Sequence, residues 1–119
     1  MSRISLLIAG LVATLALAAP SGAMGPTKLV GITGPGFTIT LKKAGVKVKT
    51  LKPGKYAITV NDKSTAHNFR LKGPGLNKRI TTLAFKGSKT VTVTLKRGLY
   101  TYLCDPHASQ GMKGTFRVR

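Results

Sequence analysis

The sequence predicts an all-β domain, a sandwich of two sheets built from seven to eight short strands. Three observations predict it. Apolar and β-branched residues alternate with polar ones in runs of about five, the period of a half-buried strand. Turns rich in glycine and proline separate these runs. Helical periodicity is hard to find, so the apolar faces are best buried by packing one sheet on another.

In chain order, residues 28–32 (KLVGI) give a first, weakly patterned strand, and residues 37–41 (FTITL) alternate clearly. Residues 46–51 form another weak strand, 56–60 (YAITV) a clear one, and 68–72 (NFRLK) a weak one. The cleanest alternation is at 90–95 (TVTVTL), which turns Val91, Val93 and Leu95 inward. Residues 99–104 and 114–118 complete the set, while 80–86 fits either a strand or a loop with a short helix. Gly34-Pro35-Gly36, Lys52-Pro53-Gly54, Gly73-Pro74-Gly75 and Lys96-Arg97-Gly98 supply the turn chemistry between strands. Tyr102, two residues before Cys104, matches a spelling found in immunoglobulin sandwiches. That pattern also needs a second cysteine and a core tryptophan, and this chain has neither.

A chain of 119 residues has room for one domain, and its first stretch reads as something else. Arg3 precedes the uncharged run 4–19 (ISLLIAGLVATLALAA), followed by Pro20 and the small residues Ser21, Gly22 and Ala23. A basic start, a modest apolar stretch and a small-residue site predict a signal peptide over 1–23, leaving a domain at 24–119. The run is somewhat short for a full span of about 20 residues; the alternative is a retained membrane anchor. Either way the domain is expected in the periplasm or secreted.

The charge is extreme: 20 Lys and Arg face only Asp62 and Asp105, a formal net charge of +18. Such a field attracts anionic partners. Nucleic acid is not the expected one, because the lysines are scattered, no binding motif accompanies them and export is the wrong compartment. An acidic protein partner is expected, or peripheral contact with an anionic membrane or cell wall.

The rarest residues carry the chemistry. The only cysteine stands in "CDPHASQGM", with Cys104, His107 and Met112 inside nine residues. Outside the cytoplasm a lone cysteine needs explaining: it is an inert buried side chain, a bridge between chains, or a metal ligand. The only other histidine, His67, lies between the strands predicted at 56–60 and 68–72. Two imidazoles and a thiolate in a plane with a long axial thioether form the donor set of a blue-copper centre. Soft sulfur suits Cu(I) and imidazole suits both oxidation states, so one geometry serves both. Pro106 and Gly111 help the loop turn back after Cys104.

The spacing Cys104-x-x-His107-x-x-x-x-Met112, with His67-Asn68 upstream, resembles the type 1 copper motif of cupredoxins. Gly98-x-Tyr-x-Tyr-x-Cys104 and Gly111-Met-x-Gly114 agree with it. The loop spacing is that of plastocyanin and pseudoazurin and is shorter than azurin's. The resemblance implies a cupredoxin-like Greek-key β-sandwich with one copper ion at one end, held by His67, Cys104, His107 and Met112. It also implies that Asn68 hydrogen-bonds near the thiolate and ties the two ligand loops together. The edge of His107 is then the electron port, within an apolar surface including Pro106, Ala108 and a glycine-rich loop such as residues 34–36.

Leu103 stands where plant plastocyanin has a tyrosine, and two acids cannot form that protein's acidic docking patch. Copper enzymes of this fold need additional histidines for further metal ions, and none is left here, so no enzymatic activity is expected. The expected function is a monomeric one-electron carrier. The alternative is a module that stores or delivers copper through the same ligands.

Overall fold

A computed structural model describes residues 25–119; the predicted signal segment lies outside the described residues. Ten strands form two five-stranded sheets. The first contains β1 (Thr27–Thr33), β2 (Ile39–Lys43), β3 (Val46–Lys47), β5 (Gly54–Asp62) and β8 (Gly87–Leu95), in the order β3-β2-β1-β5-β8. The second contains β4 (Thr50–Leu51), β6 (Phe69–Gly73), β7 (Leu76–Thr81), β9 (Gly98–Leu103) and β10 (Lys113–Val118), in the order β4-β10-β9-β6-β7. Both sheets are mixed: β1 runs parallel to β5, and β10 parallel to β4. The chain crosses between the sheets repeatedly, giving the predicted all-β sandwich.

Three elements differ from their predicted form. The strand expected over 46–51 is two short pieces, β3 pairing with β2 and β4 with β10. Val48 is buried between them and its amide donates to the Leu41 carbonyl, so the chain passes from one sheet to the other at this point. The strand expected over 37–41 begins only at Ile39, leaving Phe37 on the preceding loop. The ambiguous stretch divides: Ile80 and Thr81 end β7, and residues 82–86 are loop and turn.

Alternation builds the core. In β5 the burial pattern places Tyr56, Ile58 and Val60 inward. Val93 and Leu95 do the same from β8, and the half-buried Val91 packs against them. The facing sheet contributes Phe69, Leu71, Tyr100, Tyr102 and Phe116, with Phe69 stacked on Tyr102 and Tyr100 on Phe116. Such aromatic pairs contribute about 0.5–1.5 kcal/mol beyond the area they bury. Gly73 lies under the Tyr100 ring, where any Cβ would overlap it.

Strand direction fixes which end carries the chemistry. β1 and β5 run together from Thr27 and Tyr56 to Thr33 and Asp62. At the far end of that run the Thr33 hydroxyl donates to the carbonyl of Asn68, beside His67. The loops after β5 and β9 therefore meet at one pole of the sandwich.

Candidate metal centre

The first loop folds on its own side chains. Leaving β5, the Ser64 amide donates to the Asp62 carboxylate at 3.2 Å, and the Ala66 amide to the Ser64 hydroxyl at 3.0 Å. The His67 amide then donates to the Ser64 carbonyl. These side-chain turns reverse the chain and drop His67, only 3% exposed, onto the end of the core. Asp62, whose carboxylate accepts the first of these turn bonds, is itself buried at 2% exposure.

The second loop closes through its backbone. The Cys104 amide donates to the Met112 carbonyl at 3.1 Å, and the amides of Gln110 and Met112 donate to the His107 carbonyl. A single 3-10 turn, Ala108–Gln110, bridges the gap, and Gly111 leaves it at φ 93°. That left-handed conformation suits glycine because there is no Cβ to clash. Cys104 and Met112 at the two ends of this loop are buried, while His107 stays half-buried.

Three donor atoms converge. His67 Nδ1 and His107 Nδ1 are 3.0 Å apart, and the Cys104 sulfur is 3.7 Å from the first and 3.5 Å from the second. The point equidistant from all three lies about 2 Å from each, the length of a metal–imidazole bond. His67 Nε2 sits 3.2 Å from the Pro35 carbonyl. A carbonyl only accepts, so Nε2 carries the proton and Nδ1 turns a lone pair into the site. Two imidazole nitrogens at 3.0 Å must share a proton or a cation. The donor set, two imidazoles and a thiol with a buried thioether in the same loop, fits copper.

The surroundings hold the two loops in register. The Asn68 side chain donates to Asp105 Oδ2 at 2.8 Å, and the Asp105 amide donates back to Asn68 Oδ1 at 2.7 Å. Arg70 grips the same carboxylate through Nε at 2.7 Å and Nη2 at 3.0 Å. The Arg70 guanidinium, with help from the Asn68 amide, holds the Asp105 carboxyl below its ordinary value, and the carboxylate raises Arg70 in return. Asn68 thus ties the ligand loops together as expected, with Asp105, the neighbour of Cys104, as its partner.

Two residues act here in ways the sequence reading missed. Asp105, to which the sequence alone assigned no role at the site, anchors the cysteine's end of the loop. As one of two acids among 20 cations it was the obvious candidate for an ion pair, and Arg70 stands two residues beyond Asn68, near the start of β6. Phe37, expected inside a strand, projects over the imidazoles instead: its ring meets His107 edge-on at 4.5 Å and His67 at 5.5 Å. It is 62% exposed, and an exposed aromatic after Gly34-Pro35-Gly36 was the available signal. That loop, expected near His107, packs on His67: a Cβ at Gly34 would lie 2.9 Å from the His67 ring.

Comparisons with known proteins agree with this geometry. Among solved structures, a methionine-to-glutamine variant of rusticyanin is similar at 23% identity and a TM-score of 0.55, covering 81% of this chain and 80% of that one. Rusticyanin from Thiobacillus ferrooxidans gives 24% identity and 0.52, covering 81% and 79%. Reduced auracyanin from Roseiflexus castenholzii gives 18% and 0.51, covering 81% of this chain and 99% of that one. At such identities the likeness is one of fold. No curated protein sequence matches the chain. The family model described as "Copper binding proteins, plastocyanin/azurin family" matches residues 34–119, a span containing every donor described above. The chain belongs to the plastocyanin/azurin family of copper-binding proteins.

Proposed function

We propose that His67, Cys104, His107 and Met112 hold one copper ion and that the protein is an exported one-electron carrier. The convergence of the two Nδ1 atoms and the Cys104 sulfur at one pole carries this reading. Copper bound there supplies a one-electron couple between Cu(I) and Cu(II). The chain's own residues supply rigidity: Pro35 fixes the His67 tautomer, the Asn68–Asp105 pair locks the loops, and the backbone bonds around Cys104 hold Met112 beside it. A donor set that does not move between oxidation states keeps the reorganisation on electron transfer small.

His107 is half-buried, and the exposed ring of Phe37 lies against it. These two side chains, with Pro106 and Ala108, form the surface through which an electron enters and leaves. The chain contains two histidines, both committed to this site, which supports a carrier rather than an enzyme with further metal ions. The partner is an acidic redox protein outside the cytoplasm, attracted by the strongly basic charge of the domain, and the carrier works as a monomer.

Midpoint potential and electron self-exchange, measured on the copper-loaded protein, test the reading. Rapid reversible exchange with retention of copper through many cycles is expected. Loss of copper on each reduction would instead mark a delivery protein that uses the same ligands.

A further inference from the structure

The pole opposite the metal centre has a chemistry of its own. β1 enters at Thr27, β5 begins at Gly54 and Arg119 follows the end of β10. Between them lies an open cleft of about 630 Å³, lined by Lys43, Lys52, Lys55 and Arg119 and by no acidic side chain. The only two acids of the chain stand at the other pole: Asp62 pairs with Thr33 in the register, and Asp105 follows Cys104. The seven residues of β1 separate the poles by roughly 20 Å. Leu95 pairs with Gly54, so Lys96 and Arg97, which follow it, extend the basic edge. Beside Lys43, the β2–β3 hairpin carries Val46 at 69% exposure, the most exposed large apolar side chain among the described residues.

A basic concavity edged by an apolar tip matches an anionic bilayer, with cations at the phosphates and the tip at the acyl boundary. An anchor retained over residues 4–19, the alternative to a cleaved signal peptide, would enter the domain at this same pole through Thr27. We propose that this pole docks on anionic lipid headgroups, with Lys43, Lys52, Lys55 and Arg119 contacting the phosphates. The orientation points His107 and Phe37 away from the membrane, toward soluble partners. The docking needs no metal and so stands apart from the electron-carrier reading.

Co-sedimentation of the full-length chain with vesicles tests it, using phosphatidylcholine alone or mixed with phosphatidylglycerol. One triple variant reverses the far pole (Lys43→Glu, Lys52→Glu, Lys55→Glu), and another makes the same charge change near the metal (Lys63→Glu, Lys86→Glu, Lys113→Glu). All six lysines are exposed, and the corresponding Lys→Gln triples give milder versions should a Glu set fail to fold. The apolar N-terminal run is common to every protein, so differences between the triples report the poles alone. The wild type should bind the mixed vesicles well above the neutral ones. The far-pole variant should lose roughly a hundredfold in partitioning, and the metal-pole variant less than about tenfold, since 20 Å exceeds the screening length. Equal losses in the two triples, or equal binding of the wild type and the far-pole triple to the mixed vesicles, would overturn the proposal. So would release of the wild type by inorganic phosphate but not by chloride of matched ionic strength, which would make the cleft a small-anion site.

Discussion

Asn68 and Asp105, 37 residues apart in sequence, exchange two hydrogen bonds that join the histidine loop to the cysteine loop. Each is adjacent to a metal-site residue, so the exchange fixes His67 relative to Cys104 by a path outside the donor atoms. Asn68 is 1% exposed, and Asn68→Ala leaves the Asp105 amide without its partner. A loss of about 2–3 kcal/mol in stability is expected, together with faster copper release, both measurable by denaturant titration and chelator competition.

Arg70 makes the weaker, pH-dependent part of the same junction. Its side chain and that of Asp105 are 20% and 35% exposed, so Arg70→Gln should cost no more than about 1 kcal/mol at neutral pH. The Asp105 pKa is lowered in the folded protein, so the charged carboxylate is the stabilised form. Its contribution is complete above the ordinary carboxylate range and is lost as pH falls through the lowered value. The stability gap between wild type and variant should therefore be constant near neutrality and close in acid. A gap that widens in acid would contradict the assignment.

Met112→Leu should keep both copper and colour while raising the midpoint potential. The thioether is buried, leucine keeps its volume, and an axial donor tunes the potential rather than creating the site. Voltammetry on the two proteins checks this. Failure of the variant to bind copper would remove Met112 from the axial role.

Gly34 and Gly36 form a matched pair for testing how His67 is placed. At Gly34 the backbone is left-handed, φ 76°, and a Cβ would press on the His67 ring, whereas at Gly36 nothing lies within 4 Å. Gly34→Ala should alter the electron paramagnetic resonance of the copper-loaded protein and weaken its metal affinity. Gly36→Ala should leave both unchanged.

The proposed acidic partner gives a kinetic expectation. Electrostatic steering is screened over about 8 Å at physiological ionic strength. The bimolecular rate with an acidic cytochrome should fall as salt is raised, while the transfer step within the complex stays constant. Stopped-flow mixing across ionic strengths separates the two. A salt-independent rate would assign the charge to other contacts.

The sandwich and the donor set were legible in the sequence for different reasons. Strands such as β5 and β8 show their burial as simple alternation, Tyr56 to Val60 and Val91 to Leu95. The metal loop was legible because cysteine, histidine and methionine are scarce in this chain. What depends on contacts between loops was not. No local pattern tells that the chain changes sheets at Val48, because the residues on either side look equally like strand. Phe37 has the composition of a strand start, and only the turn made by residues 34–36 lifts it over the imidazoles. Asp105 looks like an ordinary loop acid until folding brings Arg70 to it across 35 residues.

The central claim, that His67, His107 and Cys104 hold copper as a type 1 centre, is tested most directly by the visible spectrum of the Cu(II)-loaded protein beside Cys104→Ser. A thiolate bound to Cu(II) at short range gives intense charge-transfer absorption. The wild type should be deeply blue, and the serine variant should lose the colour even where weak copper binding survives. A colourless wild-type copper complex, or a blue one that persists without the Cys104 sulfur, would contradict the account.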